Sequence, residues 1–93
     1  GDIGFILPVD WEGHDPATIM YNWWSDRRVM FAGNGEIRYE DNNEVALYVR
    51  DIPGVELTFE WDKNKALLFD CKQLHSARKF ENAWKEFIIG FVV

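Results

Sequence analysis

The residues of this chain that could do chemistry are few: two histidines, His14 and His75, one cysteine, Cys71, and a scatter of carboxylates and lysines. Asp10, Glu12 and His14 stand two positions apart. Side chains two apart on an extended strand share a face, so this segment would turn two carboxylates and an imidazole to one side. The plainer alternative is that Ile3, Phe5, Leu7 and Val9 make the opposite face apolar, leaving the even-numbered residues to face water. His75 ends a segment that begins as the apolar run Ala66 to Phe69; its plain reading is a hydrogen-bonded structural histidine. Lys85 falls in line with Phe87, Ile89 and Phe91. A lysine buried on such a strand face needs an anion beside it, whereas one on a surface strand or helix needs nothing.

Other patterns point to structure. Cys71 follows an apolar strand, where a thiol is usually inert. No serine-nucleophile signature is present. Gly33-Asn34-Gly35 is too short for a phosphate-binding loop and reads as a turn. Glu40-Asp41-Asn42-Asn43 lacks the spacing of a calcium loop. Trp11, Trp23, Trp24 and Trp61 could form a platform for a sugar or base, but aromatics at strand spacing are expected in the core.

Short β-favouring runs, separated by turn residues, must position these groups. They are Ile3 to Trp11, Thr18 to Trp24, Val29 to Phe31, Glu36 to Glu40, Val45 to Arg50, Val55 to Trp61 and Ala66 to Phe69. The last is continuously apolar, as in a strand covered on both sides. Beyond it two readings compete. Leu74, Ala77, Phe80, Trp84, Phe87 and Ile88 recur every three or four residues, a helical period that would make Lys72 to Ile89 an amphipathic helix on an antiparallel sheet. Alternatively, a loop through Ser76 to Asn82 leads into a strand from Trp84 to Val93, whose end is strongly β-favouring.

Ninety-three residues make one domain, residues 1–93, with a thin stability margin. Composition offsets that: 47% of residues are hydrophobic, and there are five Trp, seven Phe and three Tyr. So many large side chains suggest that some are covered by a partner subunit. A net charge of −6 argues against nucleic acid or an anionic membrane as partner. No apolar run approaches a transmembrane helix in length. The lone cysteine excludes an internal disulfide framework and points to a reducing, cytoplasmic setting. No signal-peptide pattern is present, and Gly1 at the first position suggests an expression remnant or a fragment.

Two segments carry a family resemblance. Ala66-Leu67-Leu68-Phe69-Asp70-Cys71-Lys72-Gln73-Leu74-His75-Ser76-Ala77-Arg78 resembles the stretch of the iron(II)- and 2-oxoglutarate-dependent oxygenases that ends in their distal metal-binding histidine. Gly13-His14-Asp15-Pro16-Ala17-Thr18-Ile19-Met20-Tyr21-Asn22-Trp23-Trp24 is similar to the strand after the first metal motif in the prolyl-hydroxylase-like members. The likeness spans roughly residues 9–93.

The resemblance implies an all-β double-stranded β-helix, or jelly roll, of eight or nine strands. The rival is an α+β domain with an antiparallel sheet and a C-terminal helix. The family holds Fe(II) with two histidines and a carboxylate, which leaves sites open for oxygen and the oxoacid. Here His75 stands at the distal ligand, and Lys85 at the basic residue that grips 2-oxoglutarate. Asp10-Trp11-Glu12-Gly13 stands where the family has His-x-Asp-Gly. Glu12 replaces the carboxylate and Asp10 replaces a histidine, unless a small register shift brings in His14. Two carboxylates and one imidazole form a harder set, suited to Mn(II), Fe(II) or Mg(II). An active member would decarboxylate 2-oxoglutarate and hydroxylate a C–H bond of a small-molecule or peptidyl substrate. The second implied function is a non-enzymatic binding or oligomerisation module that has lost the metal. The family's helix-rich N-terminal part has no counterpart here, so the chain is expected to be a truncated member or to have its sheet covered by a partner, as in a homodimer.

Overall fold

A computed structural model describes residues 2–79 and 84–92. Among them are nine strands, one single-turn 3₁₀ helix at Val49–Asp51 and no α-helix. The strands are β1 (Ile3–Trp11), β2 (Ala17–Trp24), β3 (Val29–Gly33), β4 (Glu36–Tyr39), β5 (Val45–Tyr48), β6 (Val55–Glu60), β7 (Leu67–Asp70), β8 (Gln73–Ala77) and β9 (Lys85–Val92). They form three antiparallel three-stranded sheets, ordered β7-β1-β9, β6-β2-β8 and β3-β4-β5. The chain is therefore nearly all β. The sheets stay separate and do not close into a barrel.

The first two sheets share one core. Ile6 from β1, Leu67 and Phe69 from β7, Met20 from β2 and Trp61 from the β6–β7 connection form a buried cluster, with Trp11, Phe59 and Cys71 packed against it. Met20, at 2% exposure, lies deepest. Trp61 makes edge-on ring contacts with Trp11 and Phe87 at 6.1 and 5.3 Å. Its indole N–H donates to Thr18 Oγ1 at 3.1 Å, which satisfies a hydroxyl that is itself buried. The third sheet is a meander. Its first turn, Gly33-Asn34-Gly35, has φ of 85, 55 and 72°, a left-handed run that glycine and asparagine adopt most readily.

Three sequence expectations need correction. The C-terminal helix is absent: Gln73–Ala77 and Lys85–Val92 are strands. The helical spacing of Leu74, Ala77, Trp84 and Phe87 came from adding two alternating strands across a connection. β1 offers a long edge to β9, and pairing with it uses the β-branched C-terminal end as a helix would not. Part of the expected loop, residues 80–83, and the strand's end at Val93 lie outside the described residues.

The second correction concerns β7, which is covered on one side only. Leu67 and Phe69 are buried, whereas Leu68 is 66% exposed. The third concerns β1. Its even-numbered residues Gly4, Ile6 and Pro8 face the core, and Ile3, Leu7 and Val9 are the exposed ones. Register explains this, because Gly4 pairs with Phe69 and Ile6 with Leu67, and directly opposed residues share a face.

Ion pairs decorate the exterior. Arg78 bridges Glu60 through two hydrogen bonds, at 3.0 and 2.8 Å, and Arg27 bridges Asp41. These guanidiniums hold the Glu60 and Asp41 carboxyls below their ordinary range, and the Lys63 ammonium does the same for Asp10. Carboxyls lowered on folding contribute stability above their unfolded-state values and lose it as pH falls through the folded ones. The melting temperature is thus expected to hold from neutrality to about pH 5 and then to decline as acid is added. A Glu60→Gln variant should show a shallower decline in a pH-resolved thermal melt. An identical slope would remove the Arg78 pair from the account.

Candidate functional site

The four proposed metal ligands do not come together. β1 ends at Trp11, and Gly13 and Asp15 take φ of 120 and 52°, so the alternation that would align Asp10, Glu12 and His14 stops short. A register shift between Pro8 and Asp10 further breaks the strand's phase. Asp10 is engaged by Lys63 Nζ at 2.9 Å and accepts the Trp11 backbone N–H. Glu12 accepts the Trp84 indole N–H at 2.8 Å. His14 lies exposed in the turn after β1. Among the described residues no three of His, Cys, Asp and Glu are grouped so as to hold a metal ion. The residues present do not fit the iron site that the resemblance implies.

His75 stands apart from all three carboxylate-bearing or imidazole candidates. It pairs with Met20 across β2 and β8, which puts it on the side facing the other sheet. Its Nδ1 lies 2.9 Å from the Gln73 carbonyl, and its ring is tilted against Phe69 with centroids 5.0 Å apart. Gln73 is itself buried and donates its side-chain amide to the Tyr21 carbonyl.

Lys85 occupies the other end of β9. It pairs with Trp11, and its Nζ lies over the Trp61 and Phe87 rings at 5.2 and 6.0 Å. Along β9 it sits four residues from Ile89, or about 13 Å of strand. His75, which is exposed, and Lys85, which is half-buried, therefore lie in different parts of the molecule.

What surrounds His75 is an open cleft of about 660 Å³, lined among others by Trp23, Phe69, Gln73, Ile89 and Phe91. Ile89 and Phe91 pair with Ile6 and Gly4 of β1 and so share their core-facing side. Yet Ile89 is 55% and Phe91 62% exposed. The sandwich is packed around Trp61 and unfilled around His75. At the rim Arg27 is paired with Asp41, Arg28 with Glu40 and Lys72 with Asp26. The Asp26 carboxylate holds the Lys72 ammonium above its ordinary range. Each rim cation has an acidic partner, so the mouth is close to neutral.

Comparison with protein-family models, curated proteins and solved structures finds no match. The site must be read from its own chemistry. Its inner wall carries Trp23, Phe69, Ile89 and Phe91 beside an oriented imidazole, and its rim carries the charged residues Asp2, Asp26, Arg27, Arg28 and Lys72; apolar walls with placed polar groups are a feature of small-molecule sites. Sequence reasoning singled out His75 and noted Trp23 as one of four possible platform tryptophans, but did not group Trp23, Ile89 and Phe91 around His75. Arg27 and Arg28 are adjacent in sequence, and their partners Asp41 and Glu40 lie 14 and 12 residues away. No helix among the described residues is long and apolar enough to cross a membrane.

Proposed function

We propose that this chain is a non-enzymatic binding module that takes an uncharged aromatic or apolar ligand between its sheets, beside His75. One observation carries the reading: Ile89 and Phe91, though on the core-facing side of their sheet, stand more than half exposed in the cleft. Apolar surface in a concave, near-neutral recess is where an apolar ligand gains most from leaving water. His75, steadied through Nδ1 by the Gln73 carbonyl, offers its other ring nitrogen as a polar anchor.

A second reading retains the oxygenase resemblance. Its specific support is the His75 geometry, since metal-bound histidines commonly donate their second ring N–H to a carbonyl. On that reading the two stacked sheets are part of a double-stranded β-helix, and His75 is the distal metal ligand.

One experiment separates the two. Thermal melts would be recorded with 2-oxoglutarate alone, Mn²⁺ alone and both together, and N-phenyl-1-naphthylamine fluorescence would be titrated in parallel. The binding module gives saturable naphthylamine fluorescence, lost in Phe91→Asp, and no shift specific to 2-oxoglutarate with metal. A 2-oxoglutarate shift that requires Mn²⁺ and disappears in His75→Ala would replace this reading with the oxygenase.

A further inference from the structure

The sheet edges of this molecule are not equivalent. Among the described residues each of the three sheets ends in two strands with one unpaired side, so the candidates are β7 and β9, β6 and β8, and β3 and β5. An open edge is a template for another strand unless it is short or charged. β5 and β7 are four residues long, and β3 and β8 five. β6 has six residues but carries Glu56 and Glu60. β9 is eight residues long, and after Lys85 and Glu86 it runs Phe-Ile-Ile-Gly-Phe-Val without charge or proline. Its side chains are open on both faces: Ile88 on the outer face is 53% exposed, and Ile89 on the inner face is similarly open. The outer apolar surface continues across β1 through Ile3 and Leu7.

We infer that β9 pairs antiparallel with β9 of a second copy of this chain, joining two three-stranded sheets into one of six strands. The uncharged, proline-free run of β9 is its own match as a partner strand, and charge sets the direction. With the two-fold axis at Ile88, Lys85 and Glu86 of one copy fall opposite Phe91 and Gly90 of the other, so no like charges meet. The charged ends then lie at opposite ends of the ribbon. Such a contact is isologous: the same edge serves both copies and the assembly closes as a dimer. It pairs the open backbone groups of β9 and removes Ile88 and its neighbours from water. The inference is independent of what the cleft binds.

Sedimentation velocity on the 93-residue chain, from about 1 to 100 μM, tests it. The expected result is a concentration-dependent species of twice the 11.0 kDa chain mass. Ile88→Lys should raise the dissociation constant about tenfold or more, because two ammoniums meet at the axis, while circular dichroism stays unchanged. Leu68→Lys, on the same outer face but on β7, should leave association intact. Hydrogen exchange would add a positive sign: amides within β9 become protected as concentration rises. A chain that stays monomeric throughout, or a dimer broken by Leu68→Lys and not by Ile88→Lys, overturns the inference.

Discussion

Trp61→Ala is expected to lose about 3–5 kcal/mol of folding stability, the range for removing a large aromatic from a core. Trp61 is only 9% exposed and belongs to the cluster that joins the two sheets. Its ring meets Trp11 and Phe87, and its N–H satisfies the buried Thr18 hydroxyl. Truncation removes the ring contacts, leaves a cavity and strands that hydroxyl. Small domains have about 5–15 kcal/mol in total, so the variant would be near the limit of folding. Trp61→Phe separates the contributions: it keeps an aromatic body and loses the hydrogen bond, and should cost less than the alanine change. Urea titrations with unchanged m-values would measure both. A loss below about 1 kcal/mol for Trp61→Ala would contradict its central place in the core.

The strands were largely legible in the sequence because their signals are local. Turn residues such as Gly33-Asn34-Gly35 and Asp41-Asn42-Asn43 interrupt β-favouring runs, and the chain reverses at both. β1 begins at Ile3 and ends at Trp11 as its composition suggested. The fate of residues 72–89 was illegible because the spacing fits a helix, while β1 as a long partner for β9 is a fact of tertiary structure. The site was less legible still. His75 could be singled out by its residue type and setting. Its grouping with Trp23, Ile89 and Phe91 could not be read, because the cleft is made by β8 and β9 lying across from one another, with Trp23 contributed from β2. Asp10 and Glu12 were placed at a metal by the family resemblance, with His14 joined to them by carrying strand periodicity past Trp11. A turn ends it there, and Lys63 and Trp84, distant in sequence, engage the two carboxylates instead.

The inward face of β1 is the point where sequence pattern and structure part most clearly, and two glycines test it. A methyl group on Gly4 would come within 2.6 Å of Phe69 Cζ and 3.2 Å of Cys71 Sγ. Phe69 is buried and rests against His75, so its ring has little room to yield. Gly4→Ala is therefore expected to cost about 1–3 kcal/mol, the usual penalty for overpacking a core. On the opposite face, a methyl on Gly90 would meet Phe5 Cζ at 2.6 Å. Phe5 is half-buried on the face that also carries the exposed Ile3 and Leu7, and it can swing outward. Gly90→Ala also gains about 0.5–1 kcal/mol from the conformational freedom that glycine loses on folding, so its net change should be small. Were Ile3, Phe5 and Leu7 the core-facing residues, as their hydrophobicity suggests, the order would invert: Gly90→Ala would be damaging and Gly4→Ala tolerated. Parallel chemical denaturation of the two variants decides which face of β1 is inside. It decides at the same time whether Phe69 and His75 share the wall of the cleft, because the Gly4 methyl would displace the ring on which that contact depends.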